Sequence, residues 1–161
     1  MKSFSLLCWK KIAKQIIKPK HLRRMTLLEE VNMMNKGTLM EALNIEFITI
    51  EKDLIRAKMP VDERTFQPFK ILHGGASVAL AETIGSVGSH ILLGRDSGKI
   101  SRGAGINASH LRAVRNGYVI GEARPIHIGK TTHIWDIRIT DDKDRLVSIA
   151  RLTNFILKED S

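Results

Sequence analysis

Cysteine is nearly absent: Cys8 is the only one among 161 residues. A single cysteine excludes a disulfide within the chain and any metal site built on thiolates. His127 and His133 have no partner at metal-ligand spacing, so no metal is expected. No uncharged apolar run reaches the roughly 18 residues that a membrane-spanning helix needs. The stretch 71–93 comes nearest, and Glu82, His73, His90 and several glycines interrupt it. A nucleophile-elbow serine, a P-loop and a dinucleotide fingerprint are all missing, and there is no internal repeat. These absences lead to the expectation of an intracellular, cytoplasmic protein without a resident cofactor.

What is abundant is positive charge, unevenly spread. The chain has 26 Lys and Arg against 17 Asp and Glu, a net charge of +9. Residues 1–24 carry eight of the basic residues and no acid, which leaves 18 basic against 17 acidic in the remainder. The basicity therefore belongs to an N-terminal extension, and residues 25–161 form one nearly neutral domain, long enough to bury a core. A nucleic-acid partner gets no support from that domain. Within the extension, Trp9, Ile12, Ala13, Ile16 and Ile17 recur at helical spacing with Lys10, Lys11, Lys14 and Lys18 between them, and Pro19 stops the pattern. The readings are a membrane-surface helix, a targeting segment, or an extension loose or docked on the domain, with translation starting at Met25.

Thr26 and Glu29 form a capping box for a short helix over 27–34, which Gly37 ends. Residues 43–50 and 54–59 alternate apolar and polar on either side of Glu51-Lys52-Asp53, a strand hairpin that Pro60 closes. A loop over 61–70 leads into the long apolar helix of 71–93. Four strand-like stretches follow, over 100–115, 118–127, 131–140 and 145–157. Asn116-Gly117 is a two-residue hairpin signal between the first two. One long helix with about six antiparallel strands gives an α+β fold, a sheet wrapped around that helix. A single sheet covers only part of a helix that is apolar nearly all round, so a homodimer at minimum is expected.

Glu82 stands inside the apolar helix, and a buried charge there is costly unless paired or used. At the helix start, His73-Gly74-Gly75 combines bare backbone with free N–H groups and the positive end of the helix dipole. Such a site suits the oxyanion of acyl transfer; the alternative is that the glycines only serve tight packing. Glu82 lies seven to eight residues further on, roughly 10–12 Å along the axis. That is too far for a general base acting on a carbonyl at its own helix's start. Two antiparallel helices from two subunits would bring Glu82 of one opposite Gly74 of the other. Ser86, four residues after Glu82 on the same face, either orients a water or the carboxylate, or allows close packing. Gln67 either donates to a substrate carbonyl or is an exposed loop residue. Arg112, Arg115, Arg124 and Lys130 are candidate phosphate clamps or ordinary solvated charges. Residues 126–131, with His127, Gly129 and Lys130, make a turn with modest anion-binding character, and His110 falls in a strand beside Arg112.

The run Gln67-Pro-Phe-Lys-Ile-Leu-His-Gly-Gly-Ala-Ser-Val-Ala-Leu-Ala-Glu-Thr-Ile-Gly-Ser86 resembles the signature of hot-dog-fold acyl-CoA thioesterases. The nearest branch holds the Glu-dependent 4-hydroxybenzoyl-CoA and PaaI-type enzymes with the 1,4-dihydroxy-2-naphthoyl-CoA and enterobactin-proofreading thioesterases. The similarity spans about residues 26–157. It includes residues 43–60, Ile106-Asn-Ala-Ser-His110 and Pro125-Ile-His-Ile-Gly129 followed by Trp135. The resemblance implies hydrolysis of aroyl or medium-chain acyl-CoA to free acid and CoA, with CoA entering as part of the substrate. It implies that Glu82 is the nucleophile or general base, that the Gly74 N–H polarises the thioester carbonyl, and that His73 and Gln67 flank it. Ser86 would place the water or carboxylate, and His110 would stand near the acyl group. Arg112, His127, Gly129 and Lys130 would hold the CoA nucleotide. The family's tetramers, dimers of hot-dog dimers, imply a homotetramer here. Rival readings are a non-catalytic acyl-CoA sensor and a hydratase or dehydratase on the same fold. A pocket of Phe66, Phe69, Ile71, Val87 and His90 would suit an aromatic or a medium aliphatic acyl group.

Overall fold

In the computed structural model, whose described residues are 25–95 and 97–159, Thr26 opens the first helix as its sequence predicts. The basic segment 1–24 lies outside the described residues. The Thr26 hydroxyl accepts the Glu29 N–H, and the Glu29 carboxylate returns to the Thr26 N–H at 2.7 Å, starting α1 (Leu27–Met33). Thr38 caps the single turn α2 (Leu39–Ala42). Two asparagines then tie this region to the sheet. Asn32 both donates to the Phe47 carbonyl and accepts its N–H, and Asn35 donates to the Ile45 carbonyl at 2.8 Å.

Six strands follow: β1 (Glu46–Ile50), β2 (Ile55–Pro60), β3 (Lys99–His110), β4 (Tyr118–Ile128), β5 (Thr132–Asp141) and β6 (Leu146–Lys158). Between β2 and β3 runs α3 (Gly74–Leu93), 20 residues long. The strands form one sheet in the order β1-β2-β4-β5-β6-β3, every pair antiparallel. Helix α3 touches five of them, β2 through β6, as a strand layer curved around a helix requires.

The close fit of helix to sheet has a specific cause in sequence. The buried side of α3 is Ala76, Ser77, Leu80, Ala81, Ile84, Gly85, Gly88 and Ser89, mostly small residues in pairs four apart. Opposite lie Trp135, Ile137 and Ile139 of β5 and Ala150, Leu152 and Asn154 of β6, inward positions at the strand period of two. A Cβ at Gly88 would stand 2.6 Å from Trp135 Cη2, and one at Gly85 would strike Leu152. Glycine there lets the indole and the leucine lie directly against the helix backbone. Each fully buried Leu or Ile, such as Leu80, Ile84 and Leu152, contributes about 2 kcal/mol of apolar transfer. By length and composition alone α3 would pass for a membrane span, but this stripe is packed against the sheet.

Asp141 closes the β5–β6 turn. Its carboxylate accepts the backbone N–H groups of Lys143 and Arg145 and the Arg145 side chain. Burial works to raise its pKa, but the Arg145 guanidinium and those N–H groups outweigh it and hold the group at about 2.

Two readings of the sequence are corrected. The strand expected to run to residue 115 ends at His110, and Asn116-Gly117 does not join a hairpin. Gly117 does take the positive φ of 81° that such a turn wants. However, β4 already has β2 and β5 on its two edges, so β3 pairs with β6 instead. Residues 111–117 cross the sheet's end near the start of α3, where the Leu72 N–H donates to the Val114 carbonyl and the Leu111 N–H to that of Val147. β3 is left as an open edge strand with residues 102–105 exposed. Ile149, Phe155 and Leu157 of β6 also stay exposed in a single chain.

Candidate active site

The start of α3 is built by its capping histidine. His73 has extended backbone, and its Nδ1 accepts the Gly75 N–H at 2.7 Å. An accepting Nδ1 bears no proton, so the ring's N–H is on Nε2 and points outward as a donor. The His73 carbonyl takes the N–H groups of Ala76 and Ser77. Among the described residues, that leaves the Gly74 N–H as the unbonded amide at the positive end of a 20-residue helix.

A tight loop carries Gln67 to the same place. Phe66 and Leu72 bridge across it, the Gln67 N–H donates to the Ile71 carbonyl, and Lys70 closes the turn at a positive φ of 56°. The Gln67 side-chain oxygen accepts the Phe69 N–H at 2.8 Å. Its NH2 group is thereby turned away from the loop, with both hydrogens free to donate.

His110, at the end of β3, lies over Gly74: a Cβ on that glycine would stand 2.7 Å from His110 Nε2. Ser148 of β6 braces the ring from behind. Its hydroxyl lies 3.0 Å from the Ser109 carbonyl and 3.2 Å from His110 Nδ1. Gln67, Gly74, His110 and Arg112 thus line one cleft of about 310 Å³, with Ile71, Leu72 and Val147 as apolar wall. Gln67, Gly74, His110 and Arg112, all singled out from sequence, converge here from three segments of chain, while His73 is not among the lining residues.

Glu82 is elsewhere. It is half-buried on the side of α3 that faces β3, and Ser86 donates to its Oε1 at 2.9 Å. Gly103 lies directly beneath; a Cβ there would overlap Oε1. With Oε1 held by Ser86, Oε2 is the carboxylate oxygen without a hydrogen bond among the described residues. Glu82 does not line the cleft, as its eight-residue offset from Gly74, roughly 12 Å of helix, requires.

His127, Gly129 and Lys130 sit at the β4–β5 turn. The neighbouring His133 pairs with Asn154, which bonds to Gly85 and Ser89 in the second half of α3. This turn therefore stands at the end of the sheet away from Arg112, and one chain does not bring the four proposed CoA contacts together. His127 packs on Gly129, where a Cβ would be 2.5 Å from its Nε2. His133 is buried, and among the described residues its Nδ1 has no partner. Of the acyl-pocket candidates, Ile71 lines the cleft, Phe69 is 80% exposed, and Phe66 and Val87 are half-buried. Among the described residues no cluster of His, Cys, Asp or Glu could hold a metal ion.

The fold agrees with known proteins. The chain matches the thioesterase superfamily over residues 69–148, from the Gln67 loop's end through α3 to Ser148. The 1,4-dihydroxy-2-naphthoyl-CoA hydrolase of Escherichia coli is 44% identical over 135 residues, covering 84% of this chain and 98% of that one. The chain belongs to the thioesterase superfamily. Its hot-dog architecture is shared with the solved thioesterase HI1161 of Haemophilus influenzae, at 40% identity and a TM-score of 0.80 over 86% of this chain and 95% of that one. The Staphylococcus aureus protein SAV0944 is also 40% identical, with a TM-score of 0.72 over 74% of this chain and 98% of that one. Its structures carry single substitutions at a glutamine and at a glutamate 15 positions later. Gln67 and Glu82 are separated by the same interval.

Three residues of the site were not found from sequence: Ser148, Gly103 and Asn154. Each had a faint signal. Asn154 and Ser148 are polar at buried, inward positions, and Gly103 is a glycine inside a strand.

Proposed function

We propose that this thioesterase hydrolyses acyl-CoA thioesters carrying aromatic or medium-chain acyl groups, at a site shared by two subunits. The observation that carries the reading is the cleft at the start of α3. There the unbonded Gly74 N–H and the free NH2 of Gln67 offer donors to a carbonyl oxygen, with no carboxylate among the lining residues, and the Nε2–H of His73, the capping residue beside Gly74, is a further donor outside that lining. A carbonyl held there is polarised in advance of attack. The carboxylate comes from the partner subunit, whose α3 runs antiparallel so that its Glu82 faces this Gly74. The open edge of β3, alongside Glu82, supports that pairing. Exposed Ile149, Phe155 and Leu157 support a second interface and a tetramer.

Glu82 Oε2 takes a proton from water, whose oxygen bonds to the carbonyl carbon, or bonds to that carbon itself. In either route the oxyanion collapses, the C–S bond breaks and CoA leaves as thiolate. In the second route water then hydrolyses the mixed anhydride. Arg112 at the cleft and His127, Gly129 and Lys130 of the other subunit's turn hold the CoA phosphates. The matching glutamine–glutamate interval in SAV0944 supports giving Gln67 and Glu82 to one site. The protein acts in the cytoplasm without metal or bound cofactor.

The test is thiol release from a panel of benzoyl-CoA, phenylacetyl-CoA, hexanoyl-CoA and palmitoyl-CoA by wild type and Glu82→Gln. Turnover of aroyl or medium-chain substrates, abolished in the variant, is expected. Tight binding without thiol release would indicate a sensor, and near-wild-type turnover by Glu82→Gln would remove the carboxylate's role.

A further inference from the structure

Behind Ser86 lies a buried side chain that packing alone does not require to be polar. Asn154 of β6 is fully buried. Its Nδ2 donates to the Ser89 hydroxyl at 2.8 Å and to the Gly85 carbonyl at 3.3 Å. A backbone carbonyl only accepts, so the Gly85 contact fixes which end of the amide is nitrogen. Trp135 anchors the same hydroxyl, its Nε1 donating to Ser89 at 2.8 Å from full burial. Both hydrogens of the amide are spent on α3, and Oδ1 is turned on the Ser86 hydroxyl at 3.4 Å.

Ser86 therefore has one proton and two acceptors, Glu82 Oε1 at 2.9 Å and Asn154 Oδ1 at 3.4 Å. While Glu82 is a carboxylate, the shorter charge-assisted bond holds the proton. During turnover Glu82 loses its charge, because it carries either the water's proton or the acyl group. Oε1 is then a neutral oxygen and a weaker acceptor. We propose that Asn154 is a positioning residue of the thioesterase site: its amide oxygen takes over the Ser86 hydroxyl when Glu82 is neutral, so that Ser86 stays bonded and in place in both states.

The inference rests on Glu82 being the reacting carboxylate. In the general-base route, water gives a proton to Glu82 and its oxygen bonds to the carbonyl carbon. The C–S bond then breaks, and the leaving thiolate takes the proton from Glu82. No proton leaves Ser86; only the direction of its hydrogen bond changes. The carboxyl is thus supported through the cycle without reorganising, the condition under which such a group works best.

The experiment compares Asn154→Leu, Ser86→Ala, the double variant, Ser89→Ala and Glu82→Gln in the full chain, using the fastest-hydrolysed acyl-CoA of the panel. Asn154→Leu is expected to lower kcat about tenfold with KM nearly unchanged, the effect of one hydrogen bond of ordinary strength. In the Ser86→Ala background the same change is expected to lower kcat less than about twofold, since the group it acts through is gone. Ser89→Ala breaks the core bonds of the amide nitrogen and of Trp135 but leaves Oδ1. It is expected to lower Tm as Asn154→Leu does and to keep kcat within about twofold of wild type. An equal kcat loss from Asn154→Leu with and without Ser86 overturns the proposal, as does an equal loss in Ser89→Ala. If Glu82→Gln turns over normally, or no acyl-CoA is hydrolysed, the underlying reading of the site fails and this one fails with it. If Glu82→Gln is inactive and Asn154→Leu is not impaired, only the role of Asn154 is refuted.

Discussion

The carboxylate of Glu82 lies on the bare backbone of Gly103, in a space that a single methyl group would fill. Helix α3 and strand β3 come this close only because residue 103 has no side chain. Gly103→Ala is expected to push the carboxylate off its Ser86 bond and to cut kcat by roughly 100-fold, the scale of a misplaced catalytic group. Tm should change little, because the position is exposed on an edge strand and alanine restricts the unfolded chain. Steady-state kinetics and a thermal melt on the same sample separate the two effects.

The other half of the site has an equivalent pair in Gly74 and His110. A methyl at residue 74 would stand 2.7 Å from His110 Nε2, so Gly74→Ala is expected to displace the imidazole and lower kcat/KM about tenfold or more. Much of that loss is indirect. With His110→Ala in place the clash is gone, and adding Gly74→Ala should cost less than about threefold. Full additivity of the two changes would show that His110 does not lie over Gly74.

His133 predicts how stability depends on pH. Burial pushes its imidazole below the ordinary histidine value; a bond to the Gly129 backbone opposes this, and nearby His127 adds to the depression. The unfolded chain therefore takes up the proton first. Below about pH 6.5, the ordinary histidine value, the unfolded state binds more protons, and stability falls as pH drops toward the folded value. Melting curves between about pH 7.5 and 5 should show this slope in wild type and a shallower one in His133→Gln. An unchanged slope in the variant would assign the acid sensitivity elsewhere.

The sequence made the long helix, the strand count and the Gln67…Glu82 signature readable because these are short-range. A period of 3.6 or 2, a capping box and a glycine pair each act within one or two turns of chain. The Asn116-Gly117 turn misled for the same reason: it forms as its residues dictate, but the sheet decides which strands meet, and β4 was already flanked by β2 and β5. The position of Glu82 relative to Gly74 followed from helical rise alone. The supports of the site did not. Asn154 meets Ser86 across 68 residues of chain, and Ser148 meets His110 across 38. Neither pairing follows from spacing, although a polar residue at an inward strand position marked both.

The central claim is that Gly74 of one subunit and Glu82 of another make one site. It is tested most directly by mixing two inactive variants. Glu82→Gln removes the carboxylate; Gly74→Pro removes the N–H at a helix position where proline is tolerated, and its ring also displaces His110 in the same half of the site. After unfolding and refolding together in equal amounts, half of the dimers are hybrids, each with one doubly broken and one intact site. Thiol release should recover to about a quarter of wild type if the site is shared across a two-fold interface. If the mixture stays as inactive as its parents while hybrid dimers are shown to form, the site lies within one chain and the account is wrong.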